Sequence, residues 1–149
     1  MNIKNTESSF EPYIFAIREQ LEQHIDSLNG LSNKFAEKPL SFNDRSAVER
    51  SLQVIVEAAI GCSKHVLKSK GKPVPSEARA SVERVFELLS IETPGINEIR
   101  GAIGMRNAII HDYLNLDWKK LEVVLKNNKY QSVKQYVDVL LRYLHERDA

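Results

Sequence analysis

At 149 residues, 42% hydrophobic and 28% charged, the chain has a globular composition and the length of one domain able to bury a core without staples. Its formal net charge of +1 excludes a whole-molecule pull toward polyanions, so any nucleic-acid role must rest on a local patch. The single cysteine, Cys62, excludes a disulfide framework and a cysteine zinc site. Its neighbours Ala58, Ala59, Ile60 and Val66 favour a buried structural thiol over a nucleophile. The opening MNIKNTESSF lacks the apolar stretch of a signal peptide, and no apolar run approaches the roughly 20 residues needed to span a bilayer. The expectation is a protein of the reducing cytoplasm with no membrane partner.

Apolar residues recur at helical spacing nearly throughout, with no long period-two alternation. After a flexible lead over residues 1–9, a first helix is expected near Phe10, with Pro12 in its first turn and Ile14, Ile17, Leu21, Ile25, Leu28 and Leu31 as its stripe. Gly30 lies within it or ends it, and Pro39 closes the connection. Ser41 is a candidate N-cap for a second helix, with Asp44 three residues on. That helix carries Val48 to Leu67 and stops at Gly71, before Pro73 and Pro75. The loop there is basic, with Lys64, Lys68, Lys70 and Lys72 close together. These lysines read as a solvated helix end favouring the negative dipole terminus, with a phosphate-contacting patch as the alternative.

Ser76 is expected to cap a third helix bearing Val82, Val85, Phe86, Leu88 and Leu89. Thr93-Pro94 reads as the start of a fourth, Thr93 as N-cap and Pro94 in the first helical position, running through Ile96, Ile99, Ile103 and Ile110 into MRNAIIHDYLNLD. Asp117 should cap a short helix with Leu121 and Val124, and Ser132 a last one with Val133, Val137, Leu140, Leu141 and Leu144. There is no internal repeat or second domain, so residues 1–149 are expected to form a single all-α antiparallel bundle of five or six helices.

Candidate chemistry concentrates in one place. No phosphate-cradling glycine loop, His-Glu-x-x-His pair or calcium loop occurs, and the four histidines are not spaced as a metal cluster, so neither metal nor cofactor is expected. His24 sits in an apolar stripe and reads as a satisfied, partly buried imidazole; His65 and His145 read as surface residues. Between Arg106 and Tyr113, by contrast, the chain sets a guanidinium, an amide, an imidazole, a carboxylate and a phenol within about two turns: Arg106, Asn107, His111, Asp112 and Tyr113. Asn107 and His111 share a helix face, and Arg106 and Tyr113 nearly align, but Arg106 and His111 stand roughly 140° apart. They converge only if the helix distorts near His111 or if two chains bring their motifs to one cleft. A guanidinium that clamps phosphate and an imidazole that relays a proton suit cleavage of RNA through its own 2′-hydroxyl, which requires neither metal nor external nucleophile. Asn107 would bond His111 or a phosphate oxygen, and Tyr113 would position the scissile group or stack on a base. Asp112 reads equally as a solvated helix-end carboxylate; Lys119 and Lys120 read as solvated, or as RNA contacts.

The segment R106-N107-A108-I109-I110-H111-D112-Y113 resembles the Arg-x4-His-x-Tyr signature of the HEPN superfamily, in particular its HepT-like branch. Asn107 is the usual polar residue after the arginine there. Asp44 to Val66 resembles the family's second helix and Ile96 to Tyr113 its motif helix, so the likeness covers most of the chain. The resemblance implies a HEPN-like homodimer with two motifs facing one cleft. Arg106 and His111 would be the catalytic pair of a metal-independent endoribonuclease toxin, supported by Asn107. It further implies a two-gene, type VII-like toxin–antitoxin system whose antitoxin is a cognate minimal nucleotidyltransferase, with Tyr113 the acceptor of inhibitory adenylyl groups. A phosphodiester on Tyr113 would add negative charge where RNA must lie. The alternative expectation is a non-catalytic helical subunit that partners a nucleotidyltransferase.

Overall fold

The computed structural model describes residues 9–148, and within them six α-helices and one short 3-10 turn; residues 1–8 of the expected flexible lead lie outside this range. The helices are α1 (Glu11–Glu37), α2 (Phe42–Ser69), α3 (Ala78–Leu89), α4 (Ile96–His111), α5 (Trp118–Lys126) and α6 (Tyr130–Asp148). The 3-10 turn, Tyr113–Asn115, lies between α4 and α5. No strand occurs among the described residues, and none of their helices is long and apolar enough to cross a membrane.

The two longest helices form the frame. Pro12 sits in the first turn of α1, where its missing N–H is an orphan in any case. Gly30 lies inside α1, which runs on to Glu37. Only Lys38–Ser41 separate α1 from α2, so two packed helices of 27 and 28 residues must run antiparallel. Ser41 caps α2 as its sequence predicts, its Oγ accepting from the Asp44 amide at 3.1 Å. Helix α2 packs against α1, α3, α4 and α6, which is why its apolar residues reach most of the way round it. Val48, Ile55, Cys62 and Val66 have no measurable exposure. The helix ends beyond Ser69, and Gly71 takes a φ of +67° that side-chain-bearing residues rarely adopt.

Inside the core, the Tyr136 hydroxyl meets Ser63 Oγ at 2.6 Å while Ser63 donates to the Ala59 carbonyl. The Tyr136 ring stacks on Phe86 with centroids 5.1 Å apart, tying α6 to both α2 and α3. The Arg45 guanidinium lies 5.1 Å from the centre of the Trp118 ring and joins the start of α5 to the start of α2.

Three helix starts differ from expectation. Helix α3 begins after Glu77, not at a Ser76 cap; buried Ser81 bonds the Pro75 and Glu77 carbonyls instead. Helix α4 begins at Ile96 with Gly95 as N-cap; Pro94 is buried ahead of the helix and does not enter its first turn. Helix α6 begins at Tyr130, two residues before Ser132: the Tyr130 hydroxyl bonds Asn29 and Asn128, which seats this end on α1. Asp117, by contrast, caps α5 as expected, accepting from the Lys119 amide at 3.0 Å.

Candidate active site

Helix α4 presents the motif because its apolar residues fix its rotation. Ile99, Ile103 and Ile109 are buried toward α2, α3 and α6, so Asn107 and His111 face outward. Arg106 lies at the boundary, with only 18% of its side chain exposed, and reaches across to α2. There its Nε donates to Glu57 Oε1 at 2.5 Å, and its Nη1 donates to Asn107 Oδ1 at 2.7 Å. Two of the five guanidinium donors are thus held by protein; the other three have no protein partner among the described residues. A guanidinium with donors to spare can bind phosphate bidentately.

Helix α4 keeps its regular geometry through His111, its last residue, and the chain leaves the helix at Asp112 with φ −135° and ψ 40°. No distortion brings His111 round to Arg106, and no hydrogen bond joins the two among the described residues. Tyr113 falls beyond the helix, in the 3-10 turn, so its expected helical alignment with Arg106 does not apply. It is 54% exposed and Leu114 beside it 95% exposed. Asn107 bonds Arg106 rather than His111, and so orients the cation. Asp112 accepts from Asn115 Nδ2 at 2.9 Å, a bond that closes the 3-10 turn and favours the local reading of this carboxylate.

An open cleft of about 680 Å³ runs beside Arg106 between α2, α4, α5 and α6. Leu52, Val56, Met105, Val123 and Val124 give it apolar walls, and Lys120 stands at its edge with Arg106. Lys119 is exposed outside the cleft; of the two lysines only Lys120 shares a surface with the arginine.

Sequence reasoning missed Glu57. It is the one charged residue between Gln53 and Ser63, an anomaly in an otherwise apolar run that could have marked it. Its partner lies 49 positions further along the chain, out of reach of any local pattern. His65 also differs from expectation: it is half-buried, its ring 4.2 Å from that of Tyr13 and edge-on to Phe10. His24 is the satisfied imidazole expected, with Nδ1 2.9 Å from Ser51 Oγ, and His145 is an exposed residue paired with Glu11. Among the described residues no cluster of His, Cys, Asp and Glu could hold a metal ion.

Comparison with known proteins agrees with this fold. Residues 17–140 match the family model for ribonuclease HepT-like proteins. A tRNA nuclease HepT of Aphanizomenon flos-aquae is 30% identical over 115 residues, covering 74% of this chain and 76% of that protein. An mRNA nuclease HepT of Shewanella oneidensis is 25% identical over 120 residues, covering 79% and 86%. In fold, the chain superposes with a TM-score of 0.71 on a chain of a toxin–antitoxin crystal structure with AMP-PNP, at 20% identity, covering 85% of this chain and 96% of that one. It superposes equally, with a TM-score of 0.71 at 21% identity and coverages of 85% and 94%, on a chain from the complex of tri-AMPylated Shewanella oneidensis HEPN toxin with MNT antitoxin. With its motif on an exposed helix end and most of its length matched, the chain belongs to the HepT-like ribonuclease family of the HEPN superfamily.

Proposed function

We propose that this protein is the ribonuclease toxin of a toxin–antitoxin pair and cleaves RNA without a metal ion, at a cleft completed by a second copy of the chain. The observation that carries this reading is the Arg106 guanidinium at the wall of the cleft, held by Glu57 and Asn107 with three donors uncommitted among the described residues. Arg106 would grip the scissile phosphate and offset the charge that builds on it in the transition state. His111, exposed at the end of α4, would take the proton from the 2′-hydroxyl as its oxygen attacks phosphorus. It would then return a proton to the departing 5′-oxygen, leaving a 2′,3′-cyclic phosphate. A straight α4 holds Arg106 and His111 of one chain on different faces, which favours pairing them across a two-fold axis.

Exposed Tyr113, beside the motif, would be the acceptor of adenylyl groups from a cognate minimal nucleotidyltransferase. Each added phosphodiester places negative charge where Arg106 awaits substrate. The tri-AMPylated state of the structural relative supports adenylylation as the mode of control. Lys120, at the edge of the cleft, is the better placed of the two neighbouring lysines to meet RNA.

The test is expression of the wild type beside Arg106→Ala and His111→Ala, followed by growth and RNA integrity. Arrest with RNA cleavage by the wild type alone is expected. In vitro, each variant should lose roughly 10²- to 10⁴-fold in rate, and cleavage should survive chelator and fail on a 2′-deoxy substrate. Intact RNA with all three proteins, and Tyr113 unmodified by mass spectrometry, would favour a non-catalytic subunit that only binds a nucleotidyltransferase.

A further inference from the structure

The outward stripe of α2 carries a feature that cleavage chemistry does not use. From Ala58 to Ser76 the chain has four lysines, Lys64, Lys68, Lys70 and Lys72, and no carboxylate, a local charge of +4 in a molecule of net +1. None of the four forms an ion pair among the described residues. The helix dipole accounts for Lys68, in the last turn, but its influence fades within that turn and does not reach Lys64. Lys64 and Lys68 are four residues apart on one helix, a spacing at which like charges repel by a few tenths of a kcal/mol.

Their position on the helix is informative. At 100° per residue, Lys64 and Lys68 fall within about 20° of Glu57, seven and eleven residues along from it, at roughly 10 and 16 Å of rise. Glu57 is the residue that holds Arg106, so the positions of Lys64 and Lys68 continue along α2 the line on which the guanidinium is held. Between Glu57 and Lys64, Gly61 stands about 40° off this line, and the Tyr13 hydroxyl of α1 packs beside it, so α1 borders the line there.

We propose that this line is a phosphate track. Lys64 and Lys68, continued by Lys70 and Lys72 at the end of α2, hold the backbone of a single-stranded RNA segment a few nucleotides away from the phosphate at Arg106. A row of point charges on flexible stems suits a backbone read without regard to sequence. The inference rests on the ribonuclease reading for its substrate, but predicts binding separately from cleavage.

The experiment measures binding of a labelled 12-nucleotide single-stranded RNA to His111→Ala protein over a range of salt concentrations. The same protein carrying Lys64→Gln and Lys68→Gln is the test, and one carrying Lys38→Gln and Lys126→Gln, at the far end of the bundle, is the charge-matched control. Loss of two phosphate contacts should lower the slope of log affinity against log salt by about 1.4 and weaken binding roughly tenfold near physiological salt. The control should change neither. In the active protein, the Lys64/Lys68 variant should raise KM for the long RNA and leave kcat unchanged. Equal affinity and slope in test and control overturn the track and leave the ribonuclease reading standing. Lysine-dependent binding by a protein that never cleaves supports the track and sinks the ribonuclease reading instead.

Discussion

Single residues here divide by environment more than by type. Cys62 and His111 are both potential nucleophiles or bases, but burial pushes the Cys62 thiol up to about 11, with the Tyr13 hydroxyl 3.5 Å away only partly countering it. At pH 8 about one thousandth of that thiol is ionised, so the native protein should resist an aromatic disulfide reagent and react fully in denaturant. Stoichiometric labelling of native protein at pH 8 would refute the buried assignment. His111→Ala, on an exposed side chain, should shift stability by less than about 0.5 kcal/mol; a loss above about 3 kcal/mol would make it a packing residue. Tyr136→Phe should cost about 1 kcal/mol, because it removes one buried hydrogen bond yet leaves Ser63 satisfied by the Ala59 carbonyl. Chemical denaturation checks both values.

The helices owe their limits to local signals in some places and to packing in others. Ser41 before α2 and Asp117 before α5 are read correctly from sequence, since a short polar side chain bonding an amide two or three residues on is a local event. Ser41→Ala should therefore cost about 1 kcal/mol. Gly30 is the opposite case: nothing local says whether it ends α1 or lies within it. Packing of Leu28, Leu31 and Phe35 carries the helix through, and a Cβ on Gly30 would meet nothing within 4 Å. Gly30→Ala should accordingly raise stability by about 0.5–1 kcal/mol, read as a higher denaturant midpoint with unchanged slope. A decrease would place that surface against another chain.

For the molecule as a whole, two histidines set an acid limit. Burial first, and Arg50 second, hold His24 below its ordinary value; burial and then Lys68 do the same for His65. Both bind protons more weakly folded than unfolded, so stability is full above the unfolded value near 6.5 and falls as pH drops below it. The urea midpoint should fall between pH 7.5 and 5.5, and His24→Gln with His65→Gln should flatten that dependence. A wild-type midpoint constant over this range would contradict the assignment. Dimerisation belongs to this scale too: a composite cleft requires a dimer by light scattering at micromolar concentration, and a stable monomer would leave Arg106 and His111 apart.

The sequence alone determined the all-helical class, most of the helix order and the motif Arg106-Asn107-His111-Tyr113, because apolar periodicity, caps and motif spacing are local properties of the chain. Tertiary structure decided where those side chains point and what holds them. Glu57 and Arg106 meet only because α2 and α4 pack together, and Asn107 turns to the guanidinium because Glu57 has fixed it beside the helix. The start of α4 was decided the same way: burial of Pro94 against the bundle set the helix start at Ile96 over a Thr-Pro signal that sequence favours. His65 is half-buried because α1 lays Phe10 and Tyr13 over it. In each case the deciding partner lies tens of residues away or more than one turn off, where spacing along the chain carries no information about contact in space.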